Sequence, residues 1–305
     1  MRISSLFNYE AMLAQLSVNG TRISKLTEQM ATQKRVNVPS DDPIAAVRLV
    51  QLNREQSAIR QYQSNITRVS GSLASQEANV KAISDQMLAL SDKLISAANG
   101  AHANQDMQGY GVELSSMLDS LIAFMNAQNE SGGYLFSGTK TDIKPIQWDE
   151  EQGKYIYTGN DEKRESQVAN GITISENTDI ATAFSTSDTD LAMLNKLKTL
   201  SEKMQDPAIP MSEYQDEITQ LIDLTQTTRD NIGSVFTDLG SRQNRLTLLS
   251  DTHTDVSMAN EQVIHELSDT DWATTSMNLQ LYINSVQITN KAYNMISQLS
   301  LFSAM

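Results

Sequence analysis

The sequence predicts a mainly α fold: an elongated antiparallel helical bundle or coiled coil formed by the N- and C-terminal segments, with a small inserted β-rich domain. Three observations carry this expectation. Apolar residues recur at alternating three- and four-residue spacing through most of the chain, which lays one stripe along a helix and demands a partner helix. Only 5 Pro and 13 Gly punctuate 305 residues, so few turns are available. Between Gly132 and about Ser187 the pattern changes to β-branched and aromatic runs with turn dipeptides.

The first seam is Leu6, Tyr9, Leu13, Leu16, Gly20, Ile23, Thr27 and Met30, a short and imperfect helix. A second runs without a phase break through Leu52, Glu55, Ile59, Tyr62, Ile66, Val69, Leu73, Gln76, Val80, Ile83, Met87, Leu90, Leu94 and Ala97, roughly 70 Å at 1.5 Å per residue. A polar interval at 99–104 separates it from a third, Met107, Tyr110, Leu114, Met117, Leu121 and Phe124, so the two predict an antiparallel hairpin. The fourth extends from Ile218 through Thr225, Ile232, Leu239, Leu246 and His253 to Leu267. Its matching length places it beside the second. KYIYTG (154–159) and VANGITIS (168–175) read as strands, with Asn170-Gly171 as a hairpin turn. A helix near 190–205 and a linker punctuated by Pro207 and Pro210 lead back to the bundle. After the Ser268–Asp271 cluster a last seam begins: Leu279, Ile283, Val286, Tyr293 and Ile296.

Charge excludes some functions. The net charge of −14 argues against nucleic acid, which needs clustered Lys and Arg. Acidic charge concentrates in the middle, because the first 40 residues hold five basic and two acidic groups, and Lys291 is the one charge after Asp271. Both ends can therefore crowd together while the middle repels itself, the layout of a subunit that assembles through its termini. No Cys is present, so neither disulfides nor thiolate metal sites hold the fold. No window approaches a membrane span, and Glu10 interrupts the apolar run that a cleaved signal peptide needs.

Chemistry is sparse. His102, His253 and His265 fall in no metal-ligand spacing. His253 reads as a polar residue fixing register on the fourth seam, and His265 with Asp269 as a surface pair. Gly132, Gly133 and Gly138 read as turns rather than a phosphate loop, since no GKS or GKT run follows. Trp148, Tyr155 and Tyr157 suit hairpin packing, with a sugar-stacking face as the alternative. No carboxylate pair is framed for general acid–base work, so catalysis, cofactors and metals are not expected.

Several motifs then sharpen the reading: MRIS at the start, KRVNVPSDDPIAA (34–46), GGYLFSGTKT (132–141), the Asp271-Trp272 pair and the terminal LSLF (299–302) with Leu301 and Phe302. Over essentially its whole length the chain resembles the hook–filament junction proteins of the flagellin superfamily, in which Pro39 and Pro43 bracket Ser40, Asp41 and Asp42. Asp42-Pro43 also suits a helix start, with Asp as N-cap and Pro at the first helical position. Gln33 stands where the family commonly has Gly, so the first helix is expected to run further than usual.

The resemblance implies a structural subunit that joins hook to filament after type III export, extracellular and without a cleaved leader. It implies as partners further copies of the chain, hook-associated protein 1, flagellin and a secretion chaperone. Expected domains are 1–40 with 269–305 as an intersubunit coiled-coil layer, 41–131 with 188–268 as a helical bundle, and 132–187 as the β-rich outer domain. The expected assembly residues are Leu6, Tyr9, Leu13, Leu16, Ile23, Leu279, Ile283, Val286, Tyr293 and Ile296. A flagellin filament subunit, or an adhesin using the β domain to bind carbohydrate, are the alternatives.

Overall fold

The computed structural model describes residues 2–99, 104–185 and 191–302, and within these it leaves out the side chains of residues 2–6, 8, 104 and 296–302. Six α-helices and two β-hairpins are present among the described residues. The chain divides into two compact units, residues 1–59 with 254–305 and residues 60–253. Helix α2 (Pro43–Asn99) and helix α5 (Gln215–Ser268) each contribute to both.

In the first unit, α1 (Arg2–Thr32) pairs antiparallel with α6 (Trp272–Phe302). Asn19 Nδ2 donates to Ser285 Oγ at 3.2 Å, Arg22 Nη1 donates to the Tyr282 hydroxyl at 3.1 Å, and the Tyr9 and Tyr293 rings lie 5.8 Å apart. The start of α2 and the end of α5 meet through the buried Gln56, whose amide donates to Ser257 Oγ at 2.5 Å and Glu261 Oε1 at 3.0 Å. The sequence pattern places Glu55 on this seam. Glu55 is exposed and Gln56 takes the buried position, where its Nε2 donates to both hydroxyl and carboxylate and no charge is buried at residue 56.

The second unit holds the main core. The α2 seam from Ile66 to Ala97 is buried as its spacing requires, against Ile218, Leu221, Ile232, Leu239 and Leu246 of α5 and Leu114, Leu118 and Leu121 of α3 (Asn104–Met125). Burial of such aliphatic side chains stabilises the fold by about 1.5–3 kcal/mol each. The α2–α3 hairpin is closed by Lys93 and Glu113 at 2.8 Å, and Gln243 Nε2 reaches Glu77 Oε2 at 2.8 Å between α5 and α2. On α3, Gly111, Leu118 and Met125 are buried, whereas Tyr110, Met117 and Phe124 are half-buried. The buried face is wider than a single seam because α3 also packs on α4 (Ala192–Gln205). That approach is close enough for a Cβ on Gly111 to meet the Ser201 carbonyl oxygen at 2.9 Å.

Strand β1 (Ile146–Asp149) pairs antiparallel with β2 (Lys154–Tyr157), and β3 (Glu165–Ala169) with β4 (Ile172–Ser175). Asn195 of α4 fixes the first hairpin, accepting from the Tyr155 N–H at 2.7 Å and donating to its carbonyl at 3.1 Å. The second lies on α2 and α5. Asn65 Nδ2 donates to the Gln167 carbonyl at 2.8 Å, and His253 Nε2 lies 2.7 Å from the Val168 carbonyl, so that nitrogen carries the proton. His253 stacks on Tyr62 at 5.5 Å, and Arg68 pairs with Glu176 at 2.6 Å just beyond β4. In the Asn170-Gly171 turn only Gly171 is left-handed, with φ 70°, and a bulge between Gln167 and Ala169 supplies the remaining twist. Trp148 and Tyr155 pack edge to face across the first hairpin at 5.0 Å, and Lys198 lies 4.7 Å over the Trp148 ring. Burial pushes the Tyr157 phenol above its ordinary range, where its hydroxyl lies 3.0 Å from the Phe136 and Asn160 carbonyls.

Candidate assembly surface

Helix α1 stops at Thr32, and Gln33 adopts φ 59°. This corrects the expectation that replacing Gly by Gln lets the helix run on. The chain must leave the helix here because residues 33–35 pair with 268–270. Thr270 N donates to the Gln33 carbonyl at 3.1 Å, and Arg35 N donates to the Ser268 carbonyl at 2.6 Å. These bonds outweigh the left-handed penalty of about 1–2 kcal/mol on an L residue. The break between α1 and α2 is thus clipped to the break between α5 and α6.

The Pro-bracketed motif builds the rest of this knuckle. Pro39 and Ser40 are the exposed centre of a turn closed by the Asp41 N–H on the Val38 carbonyl at 2.9 Å. The Asp41 carboxylate pairs with Lys25 at 2.8 Å and accepts the N–H groups of Asn37 and Val38 at 3.0 and 3.1 Å. Lys25 first and the two backbone donors next lower its pKa to about 2. Asp42 caps α2 through Oδ1, which accepts the Ala45 N–H at 3.0 Å, and holds Arg35 through Oδ2 at 3.0 Å. Pro43 occupies the first helical position. Arg35 also donates to the Leu267 carbonyl at 2.9 Å. On the opposing strand Asp271 caps α6 by accepting the Ala273 N–H at 3.0 Å and the Thr274 hydroxyl at 2.6 Å, with Trp272 half exposed beside it. His265 and Asp269 form an exposed pair at 2.9 Å. Asp42, Asp269 and Asp271 all sit below the ordinary carboxylate range, held there by the Ala45 N–H, by His265 and by Thr274 respectively.

Of the expected terminal residues, Leu16, Ile23, Leu279, Ile283 and Val286 are half-buried, while Tyr9, Leu13 and Tyr293 are more open, at 37–47% exposure. The side chains of Leu6, Ile296, Leu301 and Phe302, and all of His102, lie outside the described residues. On α1 the buried edge is Met12, Leu16, Asn19, Ile23 and Leu26, one position from the predicted Leu13, Gly20 and Thr27. Pairing leaves a second apolar stripe that the sequence reading missed. Phe7 is 71% exposed, and on α6 Met277, Leu281, Ile288 and Met295 are each 58–66% exposed. The seven-residue interval from Leu281 to Ile288 to Met295 was the signal that could have found it.

Among the described residues no group of three or more His, Cys, Asp or Glu could hold a metal ion, and no helix is long and apolar enough to cross a membrane.

Comparison with known proteins sets the class first. The family model for the bacterial flagellin N-terminal helical region matches residues 3–141. The flagellar hook-associated protein 3 of Escherichia coli (strain K12) is 26% identical over 315 residues, covering 99% of each chain, and that of Salmonella typhimurium is 25% identical over 317 residues with the same coverage. A solved structure of a flagellar hook-associated protein from Vibrio parahaemolyticus is 33% identical, covers 75% of this chain and 100% of its own, and superimposes with a TM-score of 0.68. The chain belongs to the hook-associated protein 3 family of the flagellin superfamily. It is a structural protein of the bacterial flagellum.

Proposed function

We propose that the chain joins hook to filament, assembling as copies whose paired terminal helices pack side by side. The observation that carries this is the apolar stripe left uncovered once α1 and α6 have paired: Phe7 on one helix and Met277, Leu281, Ile288 and Met295 on the other. Exposed hydroxyl or charged side chains would serve a soluble helix better at these five positions, and α6 carries just one charge, Lys291. A second copy buries the stripe. Residues 1–40 and 269–305 then form the intersubunit layer, 41–131 and 188–268 the bundle, and 132–187 the outer β-rich domain. Hook-associated protein 1 lies on the hook side and flagellin on the filament side. The chain leaves through the type III channel, escorted by a chaperone, and it performs no catalysis.

A charge placed in the stripe would be buried unpaired when a second copy covers it, so single charges there are decisive. Ile288→Asp and Leu281→Asp leave the bundle folded by circular dichroism and abolish assembly in motile cells. The same change at the half-buried Val286 or Ile283 abolishes assembly and also loosens the α1–α6 pair. Normal filaments and swimming with both stripe variants would refute the proposal. Electron microscopy of labelled chains separates the alternatives: a band at one boundary fits a junction subunit, and labelling along the filament fits a flagellin.

A further inference from the structure

Three Asn-Gly steps occur in the chain, at Asn19-Gly20, Asn99-Gly100 and Asn170-Gly171. An Asn followed by Gly is the sequence most open to intramolecular attack on its own side chain, since no Cβ shields the next amide nitrogen and the backbone there turns freely. The fold treats these steps differently. Asn19 is 1% exposed in the middle of α1, its amide donating to Ser285 Oγ and its carbonyl oxygen accepting from Gln15. Gly20 lies inside the same helix, where its N–H belongs to the helical ladder. Asn170 is exposed at the tip of the β3–β4 hairpin, and nothing lies within 4 Å of the space beside Gly171. The turn pairing runs between Ala169 and Ile172, so the two turn residues stand outside the ladder.

We infer that Asn170 is a site of spontaneous covalent modification, deamidation through a cyclic imide, to which the folded chain is open while Asn19 is protected. The Gly171 nitrogen gives its proton to solvent base and attacks Cγ of Asn170. The new C–N bond closes a succinimide as the Cγ–Nδ2 bond breaks, and ammonia departs with a proton from water. Water then opens the ring at either carbonyl, giving aspartate or isoaspartate. One water is consumed and one ammonia released, with no oxidant, reductant or enzyme required. Either product adds a negative charge to a chain already at −14. The isoaspartate route also lengthens the main chain by one methylene. Val168 is held by His253 and Gln167 by Asn65, so the added length falls on the Ala169–Ile172 pairing at the mouth of the turn.

The test follows the full-length protein in mildly alkaline buffer, with peptide mass spectrometry and an isoaspartate assay on the peptides spanning each Asn-Gly step. In the native protein the Asn170 peptide converts at least about tenfold faster than the Asn19 peptide, the difference reflecting how rarely a helix interior opens. In denaturant the two rates converge to within about threefold, as the protection belongs to the fold. Asn170→Gln removes the new acidic species seen on isoelectric focusing of the native protein. A native Asn170 that converts no faster than Asn19, or that speeds up on unfolding as much as Asn19 does, would overturn the inference, as would an acidic species that persists in Asn170→Gln without a matching Asn99 product.

Discussion

Replacing Gln33 by Gly tests whether the knuckle, rather than local helix preference, ends α1. Gln33 holds φ 59°, its side chain is exposed, and its carbonyl oxygen accepts the Thr270 N–H. An L residue in this region costs about 1–2 kcal/mol, which Gly does not incur. Gly also adds freedom to the unfolded chain, offsetting about 0.5–1 kcal/mol of that gain. No packing is lost, so the net effect is a stabilisation of about 0.5–1 kcal/mol in the first unit. Hydrogen exchange at the Arg35 and Thr270 amides reads it directly, because both donate across the clip. Their exchange slows by about two- to fivefold in Gln33→Gly. A β-branched Gln33→Val change, which fits φ above zero poorly, speeds both amides up. If Gly left these amides unchanged or loosened them, and Val were tolerated, the backbone at residue 33 would not be held left-handed by the clip.

The remaining predictions concern packing and pH. Gly111→Ala drives a methyl into the Ser201 carbonyl, Met204 Cβ at 3.0 Å and Gln205 Cγ at 2.9 Å, so α3 and α4 must separate at a cost of about 1–3 kcal/mol, read by urea denaturation. Asp41, Asp42, Asp269 and Asp271 all have depressed pKa values in the folded chain. Their contribution is therefore complete above the unfolded carboxylate pKa of about 3.9 and is lost as pH falls through their folded values, about 2 for Asp41. Acid thus opens the knuckle between about pH 4 and pH 2. The check is exchange or limited proteolysis at residues 33–42, which rises through that window in the parent and is already high and flatter in Asp41→Asn.

How much of this was legible in the sequence depends on how constrained each face is. The α2 seam was readable from Ile66 to Ala97, because a long unbroken 3,4 repeat admits one phase, whereas nearer the start of the helix Glu55 was predicted and Gln56 is buried. Asp42 with Pro43 could likewise be read as a helix start, since the capping oxygen and the fixed proline φ are local. Strand β1 was legible only through Trp148 as a hairpin partner of the tyrosines, because Ile146, Gln147, Trp148 and Asp149 are too short and mixed to show a period. On α3 the spacing showed one stripe, but packing against α4 as well as α2 moved burial onto Gly111, Leu118 and Met125.

By itself the sequence determined the class: long amphipathic helices at both ends, a β-rich interruption and the Pro-Ser-Asp-Asp-Pro motif follow from periodicity and local chemistry, which neighbours in the chain set. Only tertiary structure decided which edge of each terminal helix is spent within the molecule. Apolar residues flank both sides of α1 and α6, so their patterns fit more than one partner. The bonds from Asn19 to Ser285 and from Arg22 to Tyr282 select one pairing. They leave Leu281, Ile288 and Met295 to face outward, because a side chain's burial depends on residues hundreds of positions away that no local pattern encodes.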